Sequence, residues 1–215
     1  MAVQAKICGL NSQAAVAAAI AGGASHLGFV FYAPSPRALE PAKAAALAAS
    51  VPAGIVKVGL FVDASDEEIA QTLAAVPLDM LQLHGDETPR RLKDLRRRFA
   101  KPVMKALRIA SAADIAGADE YLPVVDRLLF DAKPPPEMTG ALPGGNALSF
   151  DWSLLAGRAW SKPWMLSGGL NTGNLAGAVH ATGARTVDVS SGVEDSPGRK
   201  NPEKIAAFLK LTASL

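Results

Sequence analysis

One cysteine, Cys8, stands in 215 residues, so no intrachain disulfide can form and nothing in the cysteine usage argues for secretion. Charge of one sign is also scarce: 22 Lys and Arg against 20 Asp and Glu leave a net +2, whereas a nucleic-acid partner normally goes with strong basicity. The most basic stretch, residues 90–98, carries Leu92 and Leu95, with Phe99 just beyond, on one helical face, which puts its arginines on the solvated face. There are three histidines and no His/Asp/Glu spacing of a metal site, so no metal is expected. Neither a G-x-x-x-x-G-K-[ST] loop nor a dinucleotide fingerprint is found, so no nucleotide cofactor is expected. Residues 1–6 lack a basic segment leading into an apolar run, and Gln13 and Gly22-Gly23 interrupt the Ala-rich stretch after Asn11. Neither a signal peptide nor a membrane span is expected, and a soluble cytoplasmic protein is the default.

What is present is an alternation of short apolar runs with longer amphipathic or Ala/Leu-rich ones, the pattern of repeated βα units and a parallel sheet. Strands are expected at 5–8, 27–31, 55–61, 80–83, 103–107, 128–130, 164–166 and 186–189. Helices are expected at 13–21, 41–49, 66–76, 89–99, 112–115, 152–155, 174–181 and 202–211, those after strands five and six being short. Ser65-Asp66-Glu67-Glu68 and Asn201-Pro202-Glu203 read as helix starts, a cap residue followed by acids or by proline. Eight βα units in this length predict a single (β/α)8 barrel over 1–215, with an open α/β sheet the alternative if two of the weaker strands fail. The long irregular stretch 132–149, with Pro134-Pro135-Pro136 and Pro143-Gly144-Gly145, reads as a βα loop of the kind that often covers a site.

Barrels carry their sites at the carboxyl ends of the strands, so polar residues closing each apolar run are the candidates. They are Cys8, Arg37, Asp63, His84, Asp131, Ser167-Gly168-Gly169 and Ser190-Ser191-Gly192. A lone cysteine is most often a small buried hydrophobe, but Lys6 lies on the same side of its strand, where an ammonium favours the thiolate. Asp131 reads either as a loop carboxylate pairing with Lys133 or as a partly buried acid whose raised pKa suits proton donation. The glycine-rich loops after strands seven and eight serve tight turns or surround an anion with backbone NH groups; together they favour a phosphorylated small-molecule substrate.

Several strings in order resemble the phosphoribosylanthranilate isomerase family over nearly the whole chain. They are Lys6-Ile7-Cys8-Gly9, Gly28-Phe29-Val30-Phe31 with Ser35-Pro36-Arg37, Gly59-Leu60-Phe61-Val62-Asp63 and Leu81-Gln82-Leu83-His84-Gly85-Asp86-Glu87. Later come Phe130-Asp131-Ala132, Gly144-Gly145 through Phe150-Asp151-Trp152, Gly168-Gly169-Leu170-Asn171 and Val187-Asp188-Val189-Ser190-Ser191-Gly192-Val193-Glu194. The resemblance implies an Amadori rearrangement without cofactor or metal, in tryptophan biosynthesis. It makes Asp131 the general acid, Cys8 the general base and Arg37 the holder of the anthranilate carboxylate. Gly168, Gly169, Ser190 and Ser191 would bind phosphate, His84 would approach the substrate, and Asp188 would approach the sugar or orient the acid/base pair. It leaves monomer or homodimer open. Departures are the proline-rich loop after strand six, Asn146-Ala147-Leu148 in place of a smaller and more polar stretch, and Ser167 in place of alanine. The competing readings are the related sugar-phosphate isomerase of histidine synthesis, which has aspartate where Cys8 stands, and a non-catalytic phosphate-ligand binding barrel.

Overall fold

The computed structural model describes residues 2–215. Eight strands pair in chain order: β1 (Gln4–Cys8), β2 (His26–Val30), β3 (Val56–Phe61), β4 (Met80–Leu83), β5 (Val103–Ile109), β6 (Arg127–Ala132), β7 (Trp164–Leu166) and β8 (Thr186–Val189). All pairings are parallel, and β8 returns to β1, with Lys6 opposite Asp188, so the sheet closes into a barrel. Covered on both faces, these strands are buried and mostly apolar, with polar residues such as Lys6, Gln82, Asp131 and Asp188 on the inward face. Their two faces nonetheless do different work. Ile7, Leu27, Phe29, Leu81, Val103, Phe130 and Val187 pack outward beneath the helices, while Val58, Met80, Met104, Ala106, Leu129 and Met165 fill the barrel's centre. The apolar plug closes the lower barrel and leaves its upper mouth to polar side chains.

The helices are α1 (Gln13–Ala21), α2 (Pro41–Ala48), α3 (Asp66–Ala75), α4 (Pro89–Phe99), α5 (Ala112–Gly117), α6 (Leu175–Thr182) and α7 (Pro202–Ala213). Local chemistry sets their starts. Ser65 and Glu68 form the reciprocal capping box of α3, and the Asn201 side chain accepts from the backbone NH of Glu203 and Lys204 to open α7. On α4 Leu92 and Leu95 are buried, whereas Arg91 and Arg98 turn out to Asp66 and Arg96 to Asp126. Neighbouring carboxylates thus occupy part of the basic face, as a solvated helix surface requires. Among the described residues no helix is long and apolar enough to cross a membrane.

Two elements differ from expectation. Residues Trp152–Leu155 form one 3-10 turn rather than a helix: four residues capped by Asp151 and followed by extended Ala156 do not reach a second α-turn. After β8 the chain makes a 3-10 turn at Ser191–Val193 and then a short antiparallel ribbon, β9 (Glu194–Ser196) and β10 (Arg199–Lys200), turning at Pro197-Gly198 with Gly198 at φ +80°. The Pro-Gly pair is the ribbon's local signal.

Candidate active site

Strand alternation puts Lys6 and Cys8 on the inward face of β1, Gln82 and His84 on that of β4 and its exit, Asp131 on β6, and Asp188 and Ser190 on β8 and its exit. Cys8, Arg37, His84, Asp131, Asp188, Ser190 and Ser191 line one pocket at the carboxyl end of the barrel. Gly169 lines it too, while Gly168, at φ +90°, sits behind, against Ala132 and Phe150. A side chain at Gly28 would stand 3.0 Å from Cys8 Sγ and 3.1 Å from Lys6 Nζ, so glycine there makes room for both.

Lys6 is fully buried and donates to Asp188 Oδ1 at 2.8 Å. Burial alone would lower its pKa; attraction from Asp188 and Cys8 outweighs that and holds the ammonium charged, above its ordinary value. Lys6 favours the Cys8 thiolate as expected, but it does not set the net direction. Burial pushes the Cys8 thiol up, the nearby Lys6 charge only partly offsets this, and Asp188 adds to the rise. Burial thus disfavours the Cys8 thiolate, and a thiolate that is costly to form is a strong base once formed.

Asp131 lies inside β6, one residue from its end, and is buried. Lys133 pairs with Asp114 at 3.1 Å, so Asp131 is not tied to it. Instead Asp131 Oδ1 accepts from Ala132 N at 2.9 Å and Oδ2 stands 3.3 Å from His84 Nε2. The latter approach is poorly aligned, for His84 Nε2 makes no hydrogen bond, and neither does Gln82 Oε1. Gln82 Nε2 lies 3.2 Å from His84 Nδ1. The pocket wall thus carries buried polar atoms that a ligand can satisfy.

Arg37 does not extend freely into the pocket. Its Nε and Nη2 each donate at 2.8 Å to the two oxygens of Glu194, and Nη2 also reaches Gly145 O at 3.2 Å. Burial would raise the Glu194 carboxyl, but Arg37 and Lys200 hold it below its ordinary value. Lys200, whose side chain is wholly buried, donates to Glu194 Oε1 and to Ser190 O and Oγ, while Ser190 Oγ donates to Cys8 O at 3.2 Å.

One wall of the pocket is apolar: Val30 and Leu60 pack on Cys8 with Tyr32 and Val62. Residues 142–148 of the long loop form the roof. A side chain on Gly144 would stand 2.5 Å from Asp131 Oδ2, and one on Gly145 2.6 Å from Arg37 Nη1, so the roof is seated directly on the polar wall. The Asn146 side chain accepts from Leu142 N at 3.0 Å and donates to Leu142 O at 2.7 Å, closing the roof as a small ring.

Sequence reading brings Cys8, Arg37, His84, Asp131, Asp188 and the serines to one place and misses Gln82, Glu194 and Lys200. Gln82 had a signal, a polar side chain inside an apolar strand two residues before His84. Lys200 had none beyond the unread ribbon that returns it to the mouth.

The family model for N-(5'phosphoribosyl)anthranilate (PRA) isomerase matches residues 5–211. The chain is 58% identical to the N-(5'-phosphoribosyl)anthranilate isomerase of Rhodospirillum centenum, over 100% of both chains. The crystal structure of phosphoribosyl anthranilate isomerase from Thermotoga maritima superposes with a TM-score of 0.88 at 33% identity, covering 99% of this chain and 100% of that one. A phosphoribosyl anthranilate isomerase in complex with reduced 1-(o-carboxyphenylamino)-1-deoxyribulose 5-phosphate superposes with a TM-score of 0.82 at 30% identity, covering 99% of this chain and 100% of that one.

Proposed function

The chain belongs to the N-(5'-phosphoribosyl)anthranilate isomerase family, and from that premise we propose that Cys8 and Asp131 are the base and acid of its isomerisation. The protein is an aldose–ketose isomerase of tryptophan biosynthesis: it converts N-(5-phosphoribosyl)anthranilate to 1-(2-carboxyphenylamino)-1-deoxyribulose 5-phosphate. One observation carries the assignment of roles. A single pocket joins a thiol, a carboxyl group, a guanidinium with an apolar wall, and a glycine- and serine-rich rim.

In this reading Asp131 gives its proton to the furanose ring oxygen as the C1–O bond breaks, leaving an iminium at C1. Cys8, as thiolate, takes the proton from C2, and the electron pair moves into the C1–C2 bond to form an enolamine. Proton return to C1 and loss of the C2 hydroxyl proton give the ketone. Loss of the thiol proton costs more in a buried site, but the resulting thiolate is the better base toward carbon. Arg37 holds the anthranilate carboxylate beside the Val30, Tyr32, Leu60 and Val62 wall, on which the aromatic ring lies. The phosphate takes backbone NH groups of Gly168, Gly169, Ser190 and Ser191, and His84 and Asp188 meet the sugar. The whole of 1–215 acts as one catalytic domain, in the cytoplasm, without added cofactor.

The test is to give the purified protein freshly made phosphoribosylanthranilate and follow loss of its fluorescence. Turnover is expected. No turnover, with turnover of the histidine-pathway aminoaldose phosphate instead, would reverse the assignment; binding of both without conversion would make the chain a binding barrel.

A further inference from the structure

Among the described residues Arg37 is the one Lys or Arg side chain lining the pocket, yet the ligand proposed above, on which this inference rests, is anionic at both ends. The rim assigned to the phosphate consists of backbone NH groups and hydroxyls. The second cation lies one layer behind it. Lys200 is fully enclosed, and its ammonium is divided between Glu194 Oε1 and both oxygens of Ser190, at 3.0 Å to Ser190 O and 3.1 Å to Oγ. Glu194 in turn takes the Nε and Nη2 edge of Arg37 and accepts from Gly198 N at 3.3 Å. Neither Glu194 nor Lys200 touches the pocket.

The charges of this buried group do not cancel. Arg37 and Lys200 are two basic groups on one carboxylate; burial lowers the Lys200 pKa while its contact with Glu194 opposes this, and with both protonated the group carries one net positive charge away from water, where charge is costly unless a partner arrives. The geometry also divides the work. Without Lys200, the negative charge of Glu194 would fall wholly on Arg37, and the pair would present little net attraction to a ligand carboxylate. With Lys200 sharing Glu194, Arg37 remains cationic toward the pocket, with Nη1 as the arm left outside the Glu194 contact. Glu194 further denies the ligand the Nε–Nη2 edge, so the carboxylate is met by the far side of the guanidinium.

We propose that Lys200 is a positioning residue for both anionic ends of the ligand: it neutralises Glu194 so that Arg37 attracts the carboxylate, and it holds the Ser190 turn that receives the phosphate. No contact between Lys200 and the ligand is required. A residue serving one end alone would alter one affinity; this arrangement alters two through one side chain and makes them separable.

The experiment measures dissociation constants of inorganic phosphate and of anthranilate, as separate probes, by NMR titration of the parent, Lys200→Met and the double variant Glu194→Gln/Lys200→Met. Lys200→Met is expected to weaken both probes tenfold or more. The double variant again leaves Arg37 as the uncompensated cation, so anthranilate affinity is expected to return to within about threefold of the parent while phosphate stays weak; threefold is less than 1 kcal/mol. Loss of packing alone would not restore one probe and leave the other impaired. Parent-like binding of both probes by Lys200→Met overturns the proposal, as does anthranilate binding that stays weak in the double variant, or a parent that binds neither probe. If Lys200→Met does not fold, the double variant decides alone by the same two constants. The titrations need no turnover, so a parent without isomerase activity would contradict the proposed function while these constants still decide the role of Lys200.

Discussion

A thiol enclosed by protein is a poor acid, and burial raises the Cys8 pKa despite the ammonium of Lys6 beside it. This gives the pH dependence its sign. If the thiolate is the base, kcat/KM falls at low pH and rises as the thiol ionises, and the limb lies above the roughly 8.5 of an unperturbed cysteine. Cys8→Asp, which exchanges the thiol for a stronger acid, should carry that limb down by several pH units. A limb that stays in place in Cys8→Asp would assign it to another group. The residue scale is also where sequence reading was most informative, since Cys8 closes β1, Asp131 lies near the end of β6 and Ser190 follows β8, while Asp188, inside β8, came from the family resemblance alone. It was least informative for pairings. Nothing in Ser35-Pro36-Arg37 announces that the Arg37 guanidinium is gripped by Glu194, 157 positions away.

Among the elements, the roof over the pocket depends on one side chain. Asn146 replaces two backbone partners of Leu142, and residues 144–145 then lie on Asp131 and Arg37. Asn146→Ala removes two hydrogen bonds of about 1 kcal/mol each, enough to raise KM roughly fivefold to thirtyfold. Because the roof contributes little to the core clusters, the melting temperature should stay within about 2 °C, whereas general loss of stability would move it by about 2–4 °C per kcal/mol in a domain of this size. A parent-like KM would mean that the roof closes without the Asn146 ring. The eight strands and the capped helices were legible because each has a local signal: an apolar run for β4, a capping box for α3. The 3-10 turn at Trp152–Leu155 and the ribbon β9–β10 were not, because so few residues carry no periodicity and their conformation is set by packing at the barrel rim.

At the scale of the whole molecule, the barrel separates stability from chemistry along its axis. The lower interior is packed with Met, Val and Leu, and His26 lies there at 5% exposure, its Nδ1 2.8 Å from Ser25 Oγ. Burial, aided by the positive charges of Arg127 and Lys6, lowers the His26 pKa to about 4. The folded state therefore resists a proton that the unfolded chain accepts near pH 6.5. Stability from this source is complete above about pH 6.5 and is lost as the pH falls toward 4, by about 3 kcal/mol in all. Denaturant unfolding of the parent and of His26→Gln across that range should show the parent losing more stability with acid; parallel curves would contradict the buried neutral imidazole. The upper interior, by contrast, holds charge and reactive groups that contribute little packing, and there the central claim lies. Cys8→Ala removes one sulfur atom from a pocket that remains otherwise intact, so its single-turnover rate on phosphoribosylanthranilate, with folding checked by circular dichroism, tests the base assignment directly. Loss of roughly 100-fold to 10,000-fold with substrate still bound is the result expected of a missing base. Near-parent turnover by the folded variant would contradict it.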